Sequence, residues 1–317
     1  MKPLEELERA AVSAGCLAVC GEPMSRHTTF RVGGPADLFL TVLSPEALCL
    51  VLKKARDLSI PVMMIGNGSN LLVGDKGIRG CVVLLSGEFT QARRSSDTEI
   101  RCGAAVSLAG ACNTAKKYNL SGLEFAWGIP GSVGGAVYMN AGAYGGEMRQ
   151  VVSSVRCMYP EGRIGELRGD ELAFAYRHSA FMENGAVITD VTFSLTPGNR
   201  DSIALSMEDF YNRRKEKQPL NKPSAGSVFK RPEGHFAGSL IEQCGLKGVS
   251  VGGAAVSEKH AGFIINTGGA TCADVLELIE KIQDTVRKET GGQYPLKHPQ
   301  PGNARSAKWA NRIADTE

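Results

Sequence analysis

Gly128-Ile129-Pro130-Gly131-Ser132-Val133-Gly134-Gly135-Ala136 has glycine or proline at five of nine positions and carries no charged side chain. Such a run lets backbone lie directly against a flat or phosphorylated ligand, with peptide N–H groups as donors. A structural loop packed between domains is the competing reading. The run opens a longer glycine-rich stretch that ends at Gly146. A second loop, Gly66-Asn67-Gly68-Ser69-Asn70-Leu71-Leu72, follows the short apolar run at 60–65. That order predicts a buried strand ending in a turn whose N–H groups converge as a nest on an anion. The loop lacks the spacing of a phosphate-binding P-loop or a dinucleotide fingerprint. Alone it fits an anion site or a plain turn equally. Two uncharged glycine loops in one half of the chain favour a bound dinucleotide.

Working outward, Ser44-Pro45-Glu46 combines a cap, a proline at the first helical position and an early carboxylate. Leu48, Val51, Leu52, Ala55 and Leu58 then recur at helical spacing. Val82-Val83-Leu84-Leu85 reads as a strand. Ser107 is placed to cap a helix carrying Leu108, Ala111, Cys112 and Ala115, closed by Asn119 and Gly122. Segments 151–158 and 186–195 read as strands. Pro197-Gly198-Asn199-Arg200-Asp201 reads as a linker, followed by a basic helix at about 202–217. Thr271-Cys272-Ala273-Asp274 is a variant capping box, and Val275, Leu278, Ile279, Ile282 and Val286 mark one apolar face after it. These signals divide the chain into 1–85, 86–199, 200–296 and an irregular tail at 297–317.

Composition narrows the function. At 317 residues the chain can bury a sizeable core, and 43% hydrophobic with 22% charged residues is ordinary for a globular protein. A net charge of +3, with both signs interspersed, argues against a nucleic-acid surface. No run of 18 apolar residues predicts a membrane span, and the acidic start Met1-Lys2-Pro3-Leu4-Glu5-Glu6 lacks the apolar core of a signal peptide. A cytoplasmic location is expected. Nine cysteines without a Cys-x-x-Cys pair predict buried, reduced thiols. His27, His178, His235, His260 and His298 lack ligand spacing, so no metal is expected.

Two further residues have chemistry of interest. Arg177, within Tyr176-Arg177-His178-Ser179, is a forked permanent cation suited to a carboxylate or a developing enolate. Ser227, between Gly226 and Val228, is a weak acid able to protonate only a strongly basic carbanion. Read singly, each is equally a surface or turn residue.

In order along residues 24 to 290, the segments 29–37, 66–72, 122–131, 134–145, 176–179, 225–230 and 256–263 resemble the UDP-N-acetylenolpyruvoylglucosamine reductase family, in its shorter, type II branch. The resemblance implies an α+β chain, with a two-subdomain FAD-binding fold of the vanillyl-alcohol-oxidase (PCMH) type and a C-terminal α+β substrate-binding domain. It implies reduction of UDP-N-acetylglucosamine enolpyruvate to UDP-N-acetylmuramate, with FAD as cofactor and NADPH as hydride donor, by a monomer without nucleic-acid or membrane partners. Gly66, Asn67, Gly68, Ser69, Asn70 and Leu71, with Gly128, Ile129, Pro130, Gly131, Ser132, Gly134, Gly135 and Ala136, would cradle FAD. Arg177 would stabilise the enolate-like charge and Ser227 would supply the proton. Tyr176, Arg214, Lys217, Lys230 and Gln243 are candidates for the UDP-sugar, with a solvated helix face or core-edge packing as the competing reading.

The sequence departs from the family at its C-terminal end. Where a catalytic glutamate is expected, Gln293-Tyr294-Pro295-Leu296-Lys297-His298 offers Lys297, and no carboxylate lies between Glu289 and Asp315. Lys297 as a substitute, a flavin- and nucleotide-sugar-binding protein without turnover, and an altered C-terminus stay open as readings.

Overall fold

The computed structural model describes residues 2–292. The chain folds as two compact units. The first comprises the segment up to Glu22, Asp37–Asn67 and Gly80–Arg213; the second comprises Pro23–Ala36, Gly68–Arg79 and the chain from Arg214.

The first unit holds two main sheets. Strands β1 (Leu17–Pro23), β2 (Pro35–Val42), β3 (Val62–Ile65) and β4 (Ile78–Leu85) form one, in the order β1-β2-β4-β3, with β3 and β4 parallel. Helices α1 (Pro3–Ser13) and α2 (Pro45–Asp57) accompany it. Leu38, Leu40 and Val42 on β2 and Cys81, Val83 and Leu85 on β4 alternate with period two, so their side chains share one face. They join Leu7, Ala11, Leu48, Val51, Leu52 and Ala55 of the helices in one core. Ser44 accepts the Ala47 N–H at 3.2 Å, so α2 starts where its proline and cap predict.

The second sheet is antiparallel throughout. It is built from β5 (Ala92–Arg94), β6 (Glu99–Gly103), β10 (Val152–Met158), β11 (Ile164–Arg168) and β12 (Val187–Ser194), in the order β11-β10-β12-β6-β5. Between β6 and β10 the chain makes α3 (Leu108–Lys117), β7 (Leu120–Ser121), α4 (Val133–Tyr138) and the hairpin β8 (Gly142–Ala143) with β9 (Gly146–Glu147).

Two features differ from the sequence reading. The stretch 128–146 contains a helix, α4, although Gly134 and Gly135 each cost about 1 kcal/mol relative to alanine in a helix. Burial of Val133, Ala136 and Val137 and the Ser132 cap, which accepts the Gly135 N–H at 3.3 Å, outweigh that cost. The supposed linker is also ordered. Thr196 and Pro197 form β13, paired with β7, and Asn199 accepts the Asp201 and Ser202 N–H groups at 2.9 and 3.1 Å. Asparagine there starts α5 (Arg200–Lys217), and the compact units part within that helix, after Arg213.

In the second unit β14 (Ser224–Ser227), β15 (Ser250–Val251), β16 (Ala254–Val256) and β17 (Phe263–Asn266) form an antiparallel sheet in the order β14-β17-β16-β15. The remaining helices are α6 (Ala237–Gln243) and α7 (Cys272–Glu289), and the predicted apolar face of α7 is buried. Phe30, Val32 and Leu72 lie in this same core, which explains why 23–36 and 68–79 belong to this unit. The first three N–H groups of α7 have no partner inside the helix. Asp75 accepts those of Cys272 and Ala273 at 2.7 and 3.0 Å, and Thr271 accepts that of Asp274 at 3.1 Å.

All nine cysteines are free. Burial pushes the thiols of Cys81, Cys102, Cys112 and Cys272 up to about 12, so they stay protonated at neutral pH.

Asp75→Ala removes the acceptor for two of those helix N–H groups. It is expected to cost about 1–2 kcal/mol in equilibrium urea unfolding, with Asp75→Asn in between. An unchanged midpoint for Asp75→Ala would show that water replaces the carboxylate without loss.

Candidate active site

Gly66, at the start of one glycine loop, meets the other loop within the first unit; from Gly68 to Arg79 the chain belongs to the second unit. A Cβ added to Gly66 would lie 2.3 Å from the Ser132 Oγ, so a residue with a side chain cannot stand there without displacing that hydroxyl. The second loop is in turn tied to residues 104–108. Leu108 donates to the Gly131 carbonyl at 2.9 Å, Val133 to Val106 at 2.8 Å and Gly134 to Ala104 at 2.9 Å. Gly134 also abuts Ala104, whose Cβ would be 2.8 Å from an added Cβ.

What these loops leave open bears on the cofactor. Within the first unit the N–H groups of Gly131 and Ser132 in one loop and of Asn67 in the other form no hydrogen bond with any described residue. Neutral, glycine-rich backbone with free donors fits the pyrophosphate and ring edges of a flavin dinucleotide. Among the described residues no group of three or more His, Cys, Asp or Glu gathers to hold a metal ion.

Arg177 belongs to the first unit and stands in a tight turn in which Ala175 and His178 exchange hydrogen bonds of 3.2 and 3.1 Å. Its φ is 55°, a left-handed conformation that costs roughly 1–3 kcal/mol for a residue with a side chain. Three contacts hold the turn. Asn140 donates from Nδ2 to the Ala175 carbonyl at 3.1 Å, and Ser179, fully buried, donates to the Tyr138 carbonyl at 2.7 Å. His178 places Nδ1 at 3.0 Å from the Ala173 carbonyl and Nε2 at 2.9 Å from Glu183. Both partners accept, so each ring nitrogen serves its partner only while it carries a proton. Asn140 is buried, and it also donates to Glu147 at 3.1 Å and accepts the Arg149 N–H at 3.0 Å. Its side chain therefore fixes the strained turn to the β8–β9 hairpin. Neighbouring Tyr144, in the same hairpin, stacks on Phe210 of α5 at 5.0 Å.

Ser227 ends β14 in the second unit and is exposed. The register between β14 and β17 slips from Ser224 opposite Ile265 to Ser227 opposite Phe263, with Gly226 at φ 82°. That is a β-bulge, a device that re-aims a side chain, and glycine supplies the conformation it needs. Beyond it, Val228 donates to the Gly262 carbonyl at 2.9 Å.

The remaining candidates differ from one another. Tyr176 is 65% exposed, and Lys217, Lys230 and Gln243 are exposed as well. Arg214 is buried and donates from Nη1 to Gln218 at 3.3 Å, which matches core-edge packing more than a solvated face. Lys297 lies outside the described residues. Sequence reading passed over Asn140, whose only signal was its place in the motif 134–145, and His260, which lies in the motif 256–263.

Comparison with known proteins bears on both units. Residues 218–294 match the family described as UDP-N-acetylenolpyruvoylglucosamine reductase, C-terminal domain, and residues 36–168 match an FAD binding domain. The UDP-N-acetylenolpyruvoylglucosamine reductase of Lachnoclostridium phytofermentans is 47% identical over 276 residues, 86% of this chain and 89% of that one. That of Clostridium botulinum strain 657 is 50% identical over 273 residues, 84% of this chain and 87% of its own. The crystal structure of UDP-N-acetylenolpyruvylglucosamine reductase from Thermus caldophilus aligns with a TM-score of 0.76 at 36% identity, covering 89% of this chain and 97% of that one. The fold is thus the vanillyl-alcohol-oxidase type of FAD-binding fold joined to the reductase C-terminal domain.

Gly66→Ala drives a methyl group against the Ser132 Oγ and disturbs the cap of α4. The expected cost is about 1–3 kcal/mol in thermal unfolding, with flavin lost on gel filtration. A variant as stable and as yellow as the parent would show that the two loops separate freely.

Proposed function

The chain belongs to the UDP-N-acetylenolpyruvoylglucosamine reductase family, and from that premise we propose that Arg177 and Ser227 are its charge-stabilising and proton-donating residues. The established reaction is the NADPH-dependent, FAD-dependent reduction of UDP-N-acetylglucosamine enolpyruvate to UDP-N-acetylmuramate, a step in peptidoglycan precursor synthesis. The observation that carries it is identity of 47–50% over more than four fifths of the chain.

The reaction adds one hydride and one proton across the carbon–carbon double bond of the enolpyruvyl ether. The loops at 66–71 and 128–136 would hold FAD, which when bound would supply the hydride. Negative charge develops on the substrate at the carbon beside its carboxylate. Arg177, permanently charged and forked, matches that carboxylate and its developing enolate, and the strained turn that presents it is held by buried hydrogen bonds. Preorganisation of this kind removes the cost of reorienting a donor as charge appears. Ser227 gives its hydroxyl proton to the same carbon. A serine suffices because the carbanion is far more basic than the alkoxide left behind.

The same proposal takes residues 1–85 and 86–199 as two FAD-binding subdomains and 200–296 as the substrate-binding region. The two separate sheets support the first pair, whereas 23–36 and 68–79 pack with the second unit and 200–213 with the first. Tyr176, Arg214, Lys217, Lys230 and Gln243 remain its candidates for the UDP-sugar. It places the enzyme in the cytoplasm as a monomer without nucleic-acid partners. No helix among the described residues is long and apolar enough to cross a membrane. The comparisons lend no support to a binding protein without turnover.

Stopped-flow kinetics separate the two half-reactions. Ser227→Ala is expected to leave reduction by NADPH unchanged and to slow reoxidation by the enolpyruvyl UDP-sugar by roughly 10²–10⁴-fold. Arg177→Ala is expected to slow the same step by about 10²–10³-fold. Wild-type reoxidation in both variants would remove these residues from the mechanism. Lys297 is the proposed third catalytic position. Lys297→Glu is expected to raise the reoxidation rate, and an unchanged rate takes that position out of the set.

A further inference from the structure

The structure assigns to His260 the role of positioning residue for Ser227, exerted through Gly262. The inference rests on the reading of Ser227 as proton donor.

Two hydrogen bonds form a chain from the ring to the amide after the serine. His260 Nδ1 accepts the Gly262 N–H at 3.0 Å, and the Gly262 carbonyl accepts the Val228 N–H at 2.9 Å. The Val228 nitrogen is the amide that immediately follows Ser227. The imidazole therefore holds the N–H of Gly262, and the carbonyl of the same residue, one peptide unit further on, holds the amide behind the serine.

Space tells the same story. A Cβ on Gly262 would meet His260 Cε1 at 3.0 Å, His260 Nδ1 at 3.2 Å and the Ser227 Oγ at 3.3 Å. One on Gly238 would meet His260 Cε1 at 3.0 Å. Neither glycine has a positive φ, so backbone conformation does not require glycine at either position. Gly238 lies inside α6, where alanine would be about 1 kcal/mol better for the helix. What both positions share is the imidazole, which fits between two residues without side chains. Phe263 closes the slot edge-on, with ring centroids 5.0 Å apart at 62°. The ring is thus held on three sides and presents Nδ1 to one N–H.

An Nδ1 that accepts a hydrogen bond carries no proton, so the bond exists only in the neutral ring bearing its proton on Nε2. Burial pushes the His260 pKa below its ordinary value near 6.5, and Lys247 lowers it further, against a raising effect of its own backbone and of Glu242. Lys247 and Glu242 are paired at 2.5 Å, and the segment of His260 itself carries Glu258 and Lys259. With the folded pKa depressed, the neutral ring predominates above pH 6.5. The bond to Gly262 is lost only as pH falls through the lowered value.

The test compares the holoenzyme with His260→Ala, His260→Asn and Ser227→Ala in the two half-reactions. His260→Ala is expected to slow substrate-dependent reoxidation roughly tenfold to a hundredfold, with flavin reduction by NADPH unchanged. His260→Asn, whose Oδ1 stands where Nδ1 stood and takes up no proton, is expected to recover most of that rate. It should also lack the fall in rate that the parent shows as pH drops below 6.5. Equal slowing of both half-reactions in His260→Ala, wild-type reoxidation in it, or an asparagine variant as slow as alanine would overturn the assignment. Slow Ser227→Ala beside fast His260→Ala sinks only this inference, whereas fast Ser227→Ala sinks the reading beneath it. The unsubstituted protein gives a second readout that needs no variant to fold. The Gly262 amide proton is expected to shift upfield as pH drops below 6.5, and a resonance flat through that range refutes the hydrogen bond.

Discussion

The backbone of Gly66 runs so close to the Ser132 side chain that one methyl group would overlap the hydroxyl. That contact joins two loops separated by β4, β5, β6, α3 and β7 in the chain, and it sets the floor on which the dinucleotide-binding backbone of the first unit is built. Ser132 serves twice, filling the space beside Gly66 and capping α4 through the Gly135 N–H. The uncharged composition of both loops follows. A charged or bulky side chain at either place would hold the loops apart, and a charged one would also have to be desolvated.

The same economy of space recurs around the proposed chemistry. In the first unit a buried asparagine with all three of its hydrogen bonds made, to Glu147, Arg149 and Ala175, steadies a turn that puts Arg177 at positive φ. In the second unit a glycine bulge aims Ser227, and a half-buried imidazole between two glycines holds Gly262, whose carbonyl accepts the amide behind the serine. In both cases the reactive side chain is exposed while the groups that orient it are buried or half-buried. Solvent can reach the reacting group, but the backbone that carries it is held by contacts that cost free energy to break.

Local signals in the sequence held up where capping chemistry and periodicity are self-contained. Ser44, Ser107 and Thr271 each accept the N–H they were expected to accept, and the apolar faces of α2, α3 and α7 are buried. The reading failed where a local rule is outweighed. Glycine-rich 133–138 is helical because Val133, Ala136 and Val137 find a core, and 197–201 is ordered because Asn199 caps a helix. The match of residues 36–168 and 218–294 to known families shows how much of the function such ordered motifs carry.

By itself, then, the sequence determined the family, the cofactor and the pair Arg177 and Ser227 as candidates, because long motifs in fixed order specify chemistry without coordinates. The tertiary structure alone decided which residues hold the candidates in place. Asp75 reaches the N-terminus of α7 from nearly two hundred residues away, Asn140 reaches Ala175, and His260 reaches Ser227 through Gly262. Hydrogen bonds of this kind join positions with no periodic relation, so no spacing in the chain announces them. Gly238 and Gly262 look like any other glycines until the imidazole between them is seen.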